Sequence, residues 1–543
     1  MPLSLSAEQK ELLKIFKIEE QYIIPSYQRP YSWEYDHCNQ LYTDIKDSFD
    51  DKQDYFIGNI IIAKAENNKD ILEVVDGQQR LITTLLFFKV LSLFQPEFKV
   101  LTQIIEKEDW EGQNKMPRIR SDVFEANDGS NLNEVLAYSQ TKMEERFTAV
   151  TDKSNKIVER LCNSKFECNI LYFYSWIKFF IKNEGNLKDF TSHILKNVFL
   201  LPIELSGATQ DEANEKALVI FETINNRGMN LEDADIFKAK LYNRAKKVNE
   251  EKIFIELWTD FKNYCDTLNL SIDDVFRFYS HIIRGRQGIT SSETNLREFF
   301  TNEKFSPFEN SKYRAVLEDL FKIIGILELL NQEKVKSTEA AKWIQIIEAY
   351  TNQYPKYAIV NYLFVNNSSL GNDFVSFLMS LTRYIYYLGS TTTVKFEIYN
   401  IIKQTSFNLE VSQYLRPDIT TEYFNYLGRL KKGFALLSYY LSVPQPLPSY
   451  NVDKILNLKD EKYLPEAWND DLDLENVVEM LGNYIIIDLP KKNIIFTKKP
   501  EYYNKSNIQE IKSIFKNDKF SPGDLIERDE TLKNRLLKFF RGI

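Results

Sequence analysis

Residues 71–84, Ile-Leu-Glu-Val-Val-Asp-Gly-Gln-Gln-Arg-Leu-Ile-Thr-Thr, admit few local structures. An apolar β-type run stops at Asp76 and Gly77. The polar triplet Gln78, Gln79 and Arg80 follows, and then an apolar segment, Leu81 to Phe94, with the length of a buried helix rather than a strand. The pattern predicts strand, tight turn, helix. A helix N-terminus offers unpaired N–H groups and partial positive charge. An Arg in its first turn makes the turn a natural place for a phosphate. The acid beside it can hold a metal ion or polarise a water.

A chain of 543 residues exceeds one ordinary core, so several domains are expected. With 43% hydrophobic residues, 31 Tyr and 38 Phe, it has ample material for them and is far too apolar for disorder. No uncharged apolar run reaches the length of a membrane span, and the first residues lack a basic region followed by an apolar one. A cytoplasmic protein is therefore expected. Cys38, Cys162, Cys168 and Cys265 form no Cys-x-x-Cys pair and are expected to be reduced and structural. A net charge of −9 argues against a surface coated for passive DNA binding but allows local basic grooves. Arg429, Lys431 and Lys432 are one local excess, and Lys491, Lys492, Lys498 and Lys499 are another.

The pattern predicts an opening helix over 6–17, with Ser6 and Gln9 as a capping box. The segment Tyr22 to Trp33, with Pro25 and Pro30 bracketing Gln28 and Arg29, reads as extended or turning. Trp33 to Phe49 reads as a helix. Residues 55–62 and 71–75 read as strands of a hairpin, and Phe199 to Leu205 as another strand. A helix breaks at Asn225-Asn-Arg-Gly228, and residues 250–440 keep a helical rhythm. Three prolines within 443–449 suggest a linker, with Asn483–Asp488 and Asn493–Phe496 as two short strands beyond it, followed by helices near 507–516 and 529–541. The expected fold is α+β and predominantly helical, in three parts: 1–245, 246–442 and 443–543.

Gln28-Arg29, Asp76 to Arg80, and Asn225 to Gly228 are three polar islands in apolar surroundings. Each pairs an Arg with amides beside a Gly or Pro, a combination suited to phosphate and to base or sugar edges. For one island alone, an ordinary ion-paired turn explains the residues as well. Three of one kind point to a shared ligand site.

Tyr27-Gln-Arg-Pro-Tyr-Ser-Trp33, Tyr55-Phe-Ile-Gly58, Asp76-Gly-Gln-Gln-Arg-Leu81 and Ile224-Asn-Asn-Arg-Gly-Met-Asn-Leu231 occur in this order. Together they resemble the DUF262 family, the N-terminal domain of GmrSD-type (type IV) restriction enzymes, over roughly residues 10–245. The resemblance implies a ParB/sulfiredoxin-like fold and hydrolysis of a nucleoside triphosphate (NTP) coupled to DNA restriction. By position it implies a nucleotide site centred on Asp76 to Arg80, in which we infer Asp76 and Arg80 as catalytic, Asp76 holding Mg²⁺ or orienting a water. It implies Gln28, Arg29, Gly77, Gln78, Gln79, Asn225 and Arg227 as nucleotide-binding.

Residues 440–543 resemble DUF1524, a His-Me finger (HNH) nuclease of ββα type, through Val452-Asp-Lys-Ile-Leu-Asn457, Leu481-Gly-Asn483 and Asn493. Here Lys454 stands where that family has its catalytic His, and Asn457 where it has Pro. Imidazole accepts a proton near neutral pH and an ordinary Lys does not. The chain has only His37, His193 and His281, none of them C-terminal. The expected module is a degenerate nuclease site at Lys454, Asn483 and Asn493.

The leading reading is an anti-phage protein that binds and hydrolyses an NTP and engages DNA, modified phage DNA among the options, or a partner nuclease or defence subunit. Self-association stays open. A non-catalytic nucleotide or modified-DNA sensor is the alternative, and a DNA nickase using Lys454 or another residue is a third.

Overall fold

The structure is a computed structural model. It describes residues 5–543 except 17, 109–114, 124–126, 155, 184, 211, 215, 218–219, 221–232, 302–306, 311, 389–390, 465–467, 469–473 and 516–518. It is α+β and mostly helical, and divides into two compact units, Met1–Ile255 and Glu256–Ile543.

The first unit is built on a mixed sheet. Its strands are β1 (Leu5–Ala7), β2 (Lys10–Glu11), β3 (Gln21–Ile24), β4 (Tyr55–Ala65), β5 (Asn68–Asp76), β8 (Ile119–Ser121) and β9 (Val198–Gly207). A separate small ribbon pairs β6 (Glu106–Glu108) with β7 (Lys115–Pro117). The sheet order is β1-β9-β4-β5-β3-β8, with β2 also on β9. The expected hairpin is present as antiparallel β4 and β5, and it turns at Glu66 and Asn67. The expected strand at 199–205 is β9, parallel to β4. The opening differs from the expected helix over 6–17. Ser6 lies in β1 opposite Glu204, and the helix α1 spans only Leu12–Phe16. Pairing with the edge of β9 offers this segment hydrogen bonds that a short isolated helix lacks.

The pairing directions position the site. Strands β3 and β5 are parallel, so their C-terminal ends lie side by side. After β3 the chain enters Pro25 to Trp33, and after β5 it enters Asp76 to Arg80. Two segments nearly fifty residues apart in sequence thus meet at one sheet end, the usual location of ligand sites in sheets with parallel strands.

Helix α2 (Tyr35–Asp50) follows the first of these segments, and α3 (Gln78–Phe94) follows the second. Helix α3 is apolar all round because it is buried all round. Leu81, Leu85, Leu86, Phe87, Phe88, Val90 and Leu91 are each fully buried. At about 1.5–3 kcal/mol per large buried side chain, hydrophobic burial rather than helix propensity fixes this helix. It follows α3 that α4 (Lys99–Ile105), α5 (Asp128–Leu136), α6 (Gln140–Val150), α7 (Lys165–Asn183) and α8 (Leu187–Asn197) complete the core. Phe87 on α3 stacks on Phe173 of α7 at 4.7 Å. Helix α9 (Asp233–Lys246) belongs to the same unit.

Gly77 makes the turn possible. Its φ is +85°, and a Cβ there would lie 2.5 Å from Ile60 Cγ2 and 3.0 Å from Asn59 O. Left-handed backbone and a close strand approach both require glycine. Gly77→Ala is expected to lower the unfolding free energy by about 2–4 kcal/mol, combining the backbone penalty with overpacking. A lower urea midpoint at unchanged slope is the readout, and an unchanged midpoint would refute the requirement.

The second unit is predominantly helical, with long helices such as Ile272–Gln287, Tyr313–Glu333, Tyr354–Val365, Asn372–Leu388 and Pro522–Arg541. The segment 443–449 lies within it, and Leu447 O accepts a hydrogen bond from Gln345 Nε2 at 2.9 Å. A separate apolar cluster forms around Ile455, Trp468, Ile485, Phe496 and Tyr503. The strand expected at 483–488 is β11 (Tyr484–Ile487), but its partner is β10 (Asn451–Lys454), antiparallel. Residues 493–495 are not a strand, and Phe496–Lys498 form a 3-10 turn. Phe496 goes into the apolar cluster instead, so burial of its ring outweighs the strand preference of the run.

Cys162 and Cys168 are joined in a disulfide, contrary to the expectation of four reduced thiols, and Cys38 and Cys265 are free and buried. Their spacing of six residues across the entry to α7 brings the two sulfurs together. No helix among the described residues is long and apolar enough to cross a membrane.

Candidate functional site

Two of the three polar islands meet at the N-terminus of α3. Gln28 Nε2 donates to Val75 O at 2.9 Å, joining the first loop to the end of β5. Gln78 Nε2 donates to Arg29 O at 3.0 Å. Gln79 Oε1 accepts from the backbone N–H of Ser32 at 2.8 Å and of Trp33 at 3.2 Å, and its Nε2 donates to Pro30 O at 3.2 Å. Both Gln78 and Gln79 are 5% exposed. Their amide groups are thus committed to the backbone of the neighbouring loop. Their own backbone N–H groups, in the first turn of α3, have no helical acceptor.

The same loop is held from three other directions. Tyr31 N–H donates to Asp128 Oδ1 at 2.7 Å, and Tyr31 Oη lies 2.7 Å from Thr83 Oγ1. Asn169 Nδ2 on α7 donates to Tyr31 Oη and to Trp33 O. A polar loop over an apolar helix would otherwise bury unpaired backbone groups.

Arg80 and Asp76 flank this glutamine pair. Arg80 Nη1 donates to Asn59 O on β4 at 2.8 Å. The guanidinium lies against Gly58, where a Cβ would come 3.3 Å from Nε. Gly58, with φ of +137°, also marks an irregular register between β4 and β9. Asp76 is partly buried. Burial raises its carboxyl pKa, and the opposing pulls of Arg80, the Gly77 N–H and Arg29 do not cancel that rise. Arg29 is partly buried, and its guanidinium makes no hydrogen bond among the described residues. An acid that ionises at a cost therefore lies within the electrostatic reach of two guanidinium groups beside a helix N-terminus.

Lys238 was missed by sequence reasoning. It sits on the buried face of α9, 3% exposed, with Nζ 3.4 Å from Gln28 O. The available signal was a Lys inside the apolar stretch Ile236-Phe-Lys-Ala239. A buried ammonium needs acceptors, and only the fold shows that a loop carbonyl is one. Asn225 and Arg227 lie outside the described residues.

A site for Mg²⁺ can be weighed from the donors present. Among the described residues no group of three or more His, Cys, Asp or Glu converges, so a cage made wholly of protein is absent there. Mg²⁺ commonly takes one or two carboxylates plus phosphate oxygens and waters. Asp76, whose ionised form is penalised by burial, fits that smaller role.

The degenerate nuclease positions lie in the second unit. Lys454 Nζ pairs with Glu479 Oε1 at 2.8 Å. Burial alone would lower the Lys454 pKa, but Glu479 and Tyr484 outweigh it and raise the value. Lys454 is held as ammonium. Asn483 is fully buried. Its Oδ1 accepts from Leu456 N–H, and its Nδ2 donates to Leu456 O and Val478 O. This pins the segment after β10 to the start of β11. Asn493 is exposed. The histidines serve packing and capping. His37 Nδ1 accepts from Glu34 N–H, His193 Nε2 lies 2.9 Å from Ser48 Oγ, and His281 stacks on Tyr357 at 3.9 Å beside Glu293.

The family model described as GmrSD restriction endonuclease, N-terminal domain, matches residues 11–242. The match includes all three polar islands. No curated protein matches the chain.

Proposed function

We propose that this chain, whose residues 11–242 match the N-terminal domain of a restriction endonuclease, binds and hydrolyses an NTP at the Asp76–Arg80 turn and couples this to DNA or to a partner protein in anti-phage defence. The observation that carries the reading is Arg29. It is a partly buried guanidinium with no hydrogen-bond acceptor among the described residues, facing the same acid as Arg80 at a helix N-terminus. Such an arrangement suits a polyphosphate.

Arg29, Arg80 and the first N–H groups of α3 bind the phosphates. Gln28, Gln78 and Gln79 hold the loop that carries Arg29. Asn225 and Arg227 join them by family position. Asp76 would hold a Mg²⁺ ion, which would supply charge neutralisation at the phosphate oxygens. Asp76 also orients a water toward the terminal phosphorus. The water oxygen forms the new P–O bond as the bond from the terminal phosphorus to the bridging oxygen breaks, the water's proton passes to the phosphate oxygens, and nucleoside diphosphate and inorganic phosphate leave. Arg29 and Arg80 face the oxygens on which charge develops.

The C-terminal module carries no general base in this reading, because Lys454 is held protonated by Glu479. Cutting, where it occurs, falls to a partner. Purified protein with NTP and Mg²⁺ tests the proposal against Arg80→Ala, with supercoiled plasmid in a parallel arm. Phosphate release lost by about 100-fold or more in the variant is expected, with the plasmid left intact. Absence of both binding and turnover in the unmodified protein would overturn the nucleotide site. Tight binding without phosphate release would favour the sensor reading. Nicking that disappears in Lys454→Ala would restore the nuclease.

A further inference from the structure

In the second unit, residues 425–432, Asn-Tyr-Leu-Gly-Arg-Leu-Lys-Lys, carry three cations and no acid. Tyr426 is 90% exposed, the most exposed large hydrophobic residue among the described residues. Gly428 turns the chain with φ of +50° and open space around it. Arg429 and Lys432 are exposed.

Lys431 behaves differently from its neighbours. Its side chain is only 16% exposed and reaches Glu479 Oε2 at 2.5 Å. Lys454, at the end of β10 and 29% exposed, reaches the other oxygen of the same carboxylate at 2.8 Å. Tyr484 Oη donates to Oε2 at 3.4 Å, and Lys454 also lies over the Tyr484 ring at 5.2 Å. Three donors from three separate elements converge on one oxyanion. The Glu479 side chain is 48% exposed, more than either lysine, so solvent and solutes reach the acid more readily than the cations. The two lysines hold the Glu479 carboxyl down to about 2, so it is an anion at any physiological pH.

We propose that the Tyr426–Lys432 turn and Lys454 form a binding surface for single-stranded nucleic acid, with the Glu479 carboxylate standing in the free protein where one backbone phosphate binds. The inference deepens the DNA-coupling part of the proposed function and rests on it for the choice of partner. Lys431 and Lys454 grip the phosphate, Arg429 and Lys432 follow the strand, and Tyr426 offers a face on which a base stacks. Aromatic faces among cations are the usual platform for unpaired bases. A duplex keeps its bases inside and makes no use of Tyr426. Glu479 then acts as an internal competitor, which lets go only when a phosphate takes both lysines.

The test is fluorescence anisotropy with a labelled oligothymidine of about 20 nucleotides, a length that covers one to several single-strand sites, on the full chain without NTP. Tyr426→Ala is expected to weaken binding about tenfold. Glu479→Gln keeps the shape, removes the competing charge, and is expected to tighten binding several-fold. Lys454→Ala is expected to reduce the slope of log affinity against log salt by about 0.7, the single-strand value for one phosphate contact. Tyr426 is solvent-exposed and Glu479→Gln is isosteric, so circular dichroism should match the parent for both.

An oligonucleotide affinity unchanged by Tyr426→Ala, or unchanged or weakened by Glu479→Gln, overturns the proposal. Equal displacement by inorganic tripolyphosphate at matched phosphate concentration reassigns the site to small anions, and a preference for duplex of the same length reassigns it to double strands. The assay is repeated in Asp76→Ala. Oligonucleotide binding should persist there, so a failure of the nucleotide site and a failure of this surface give different results.

Discussion

Asp76→Asn should abolish NTP turnover, by about 100-fold or more, while leaving the fold as stable as the parent or slightly more so. The two halves of this expectation have one cause. Burial raises the Asp76 pKa above its ordinary value, and Arg80, the Gly77 N–H and Arg29 recover only part of the cost. A folded-state acid with a raised pKa disfavours the folded state once it is ionised. An uncharged amide of the same shape removes that cost, and its oxygen still accepts from Gly77. What it cannot do is hold a cation or polarise water as a carboxylate does. Stability is read from denaturant unfolding and activity from phosphate release. Loss of activity together with a clear loss of stability would mean that Asp76 is a structural acid, and full activity in Asp76→Asn would remove it from the reaction.

A structural effect as large as that of Gly77→Ala is expected at Gln79. Its one amide satisfies Ser32 N–H, Trp33 N–H and Pro30 O at a position 5% exposed. Gln79→Ala leaves three backbone groups without partners, at about 1–3 kcal/mol for each that water does not reach. A destabilisation of about 2–4 kcal/mol follows, since the loop relaxes and some of these groups are rehydrated. The loop carries Arg29, so nucleotide affinity should fall as well. Gln79→Glu does not rescue the change, because it retains the acceptors but loses the donor to Pro30 and introduces a charge into a buried position. Hydrogen exchange at Tyr31 to Trp33 gives the local readout. Exchange as slow in Gln79→Ala as in the parent would show that the amide does not hold the loop.

This second case marks where sequence reasoning stopped. Gln78 and Gln79 sit among donors and acceptors in a phosphate-like turn, and amides there suit a ligand as well as a backbone. The partners of Gln78, Gln79 and Gln28 lie 46 to 49 residues away in the chain. No local pattern encodes which group will occupy that space. Lys238, 210 residues from its acceptor Gln28 O, was out of reach for the same reason. The C-terminal pairing was misread on similar grounds. The runs 484–487 and 493–496 look alike as short apolar segments, yet only the first became a strand, and its partner is 451–454.

The sequence by itself determined the strand–turn–helix at 71–94, the β4–β5 hairpin, the glycine at the turn and the gathering of Arg and amide residues at a few breaks in an apolar pattern. These follow from periodicity, from backbone geometry at glycine and proline, and from the length of apolar runs, all of which are properties of neighbouring residues. Tertiary structure decided that parallel β3 and β5 bring Gln28 and Arg29 to Asp76. It also decided that the glutamine side chains brace the loop while Arg29 stays without a hydrogen bond among the described residues, and that Lys454 is held by Glu479. Hydrogen bonds and ion pairs form between whichever polar groups the packing of the apolar core leaves adjacent, and that packing joins segments far apart in the chain.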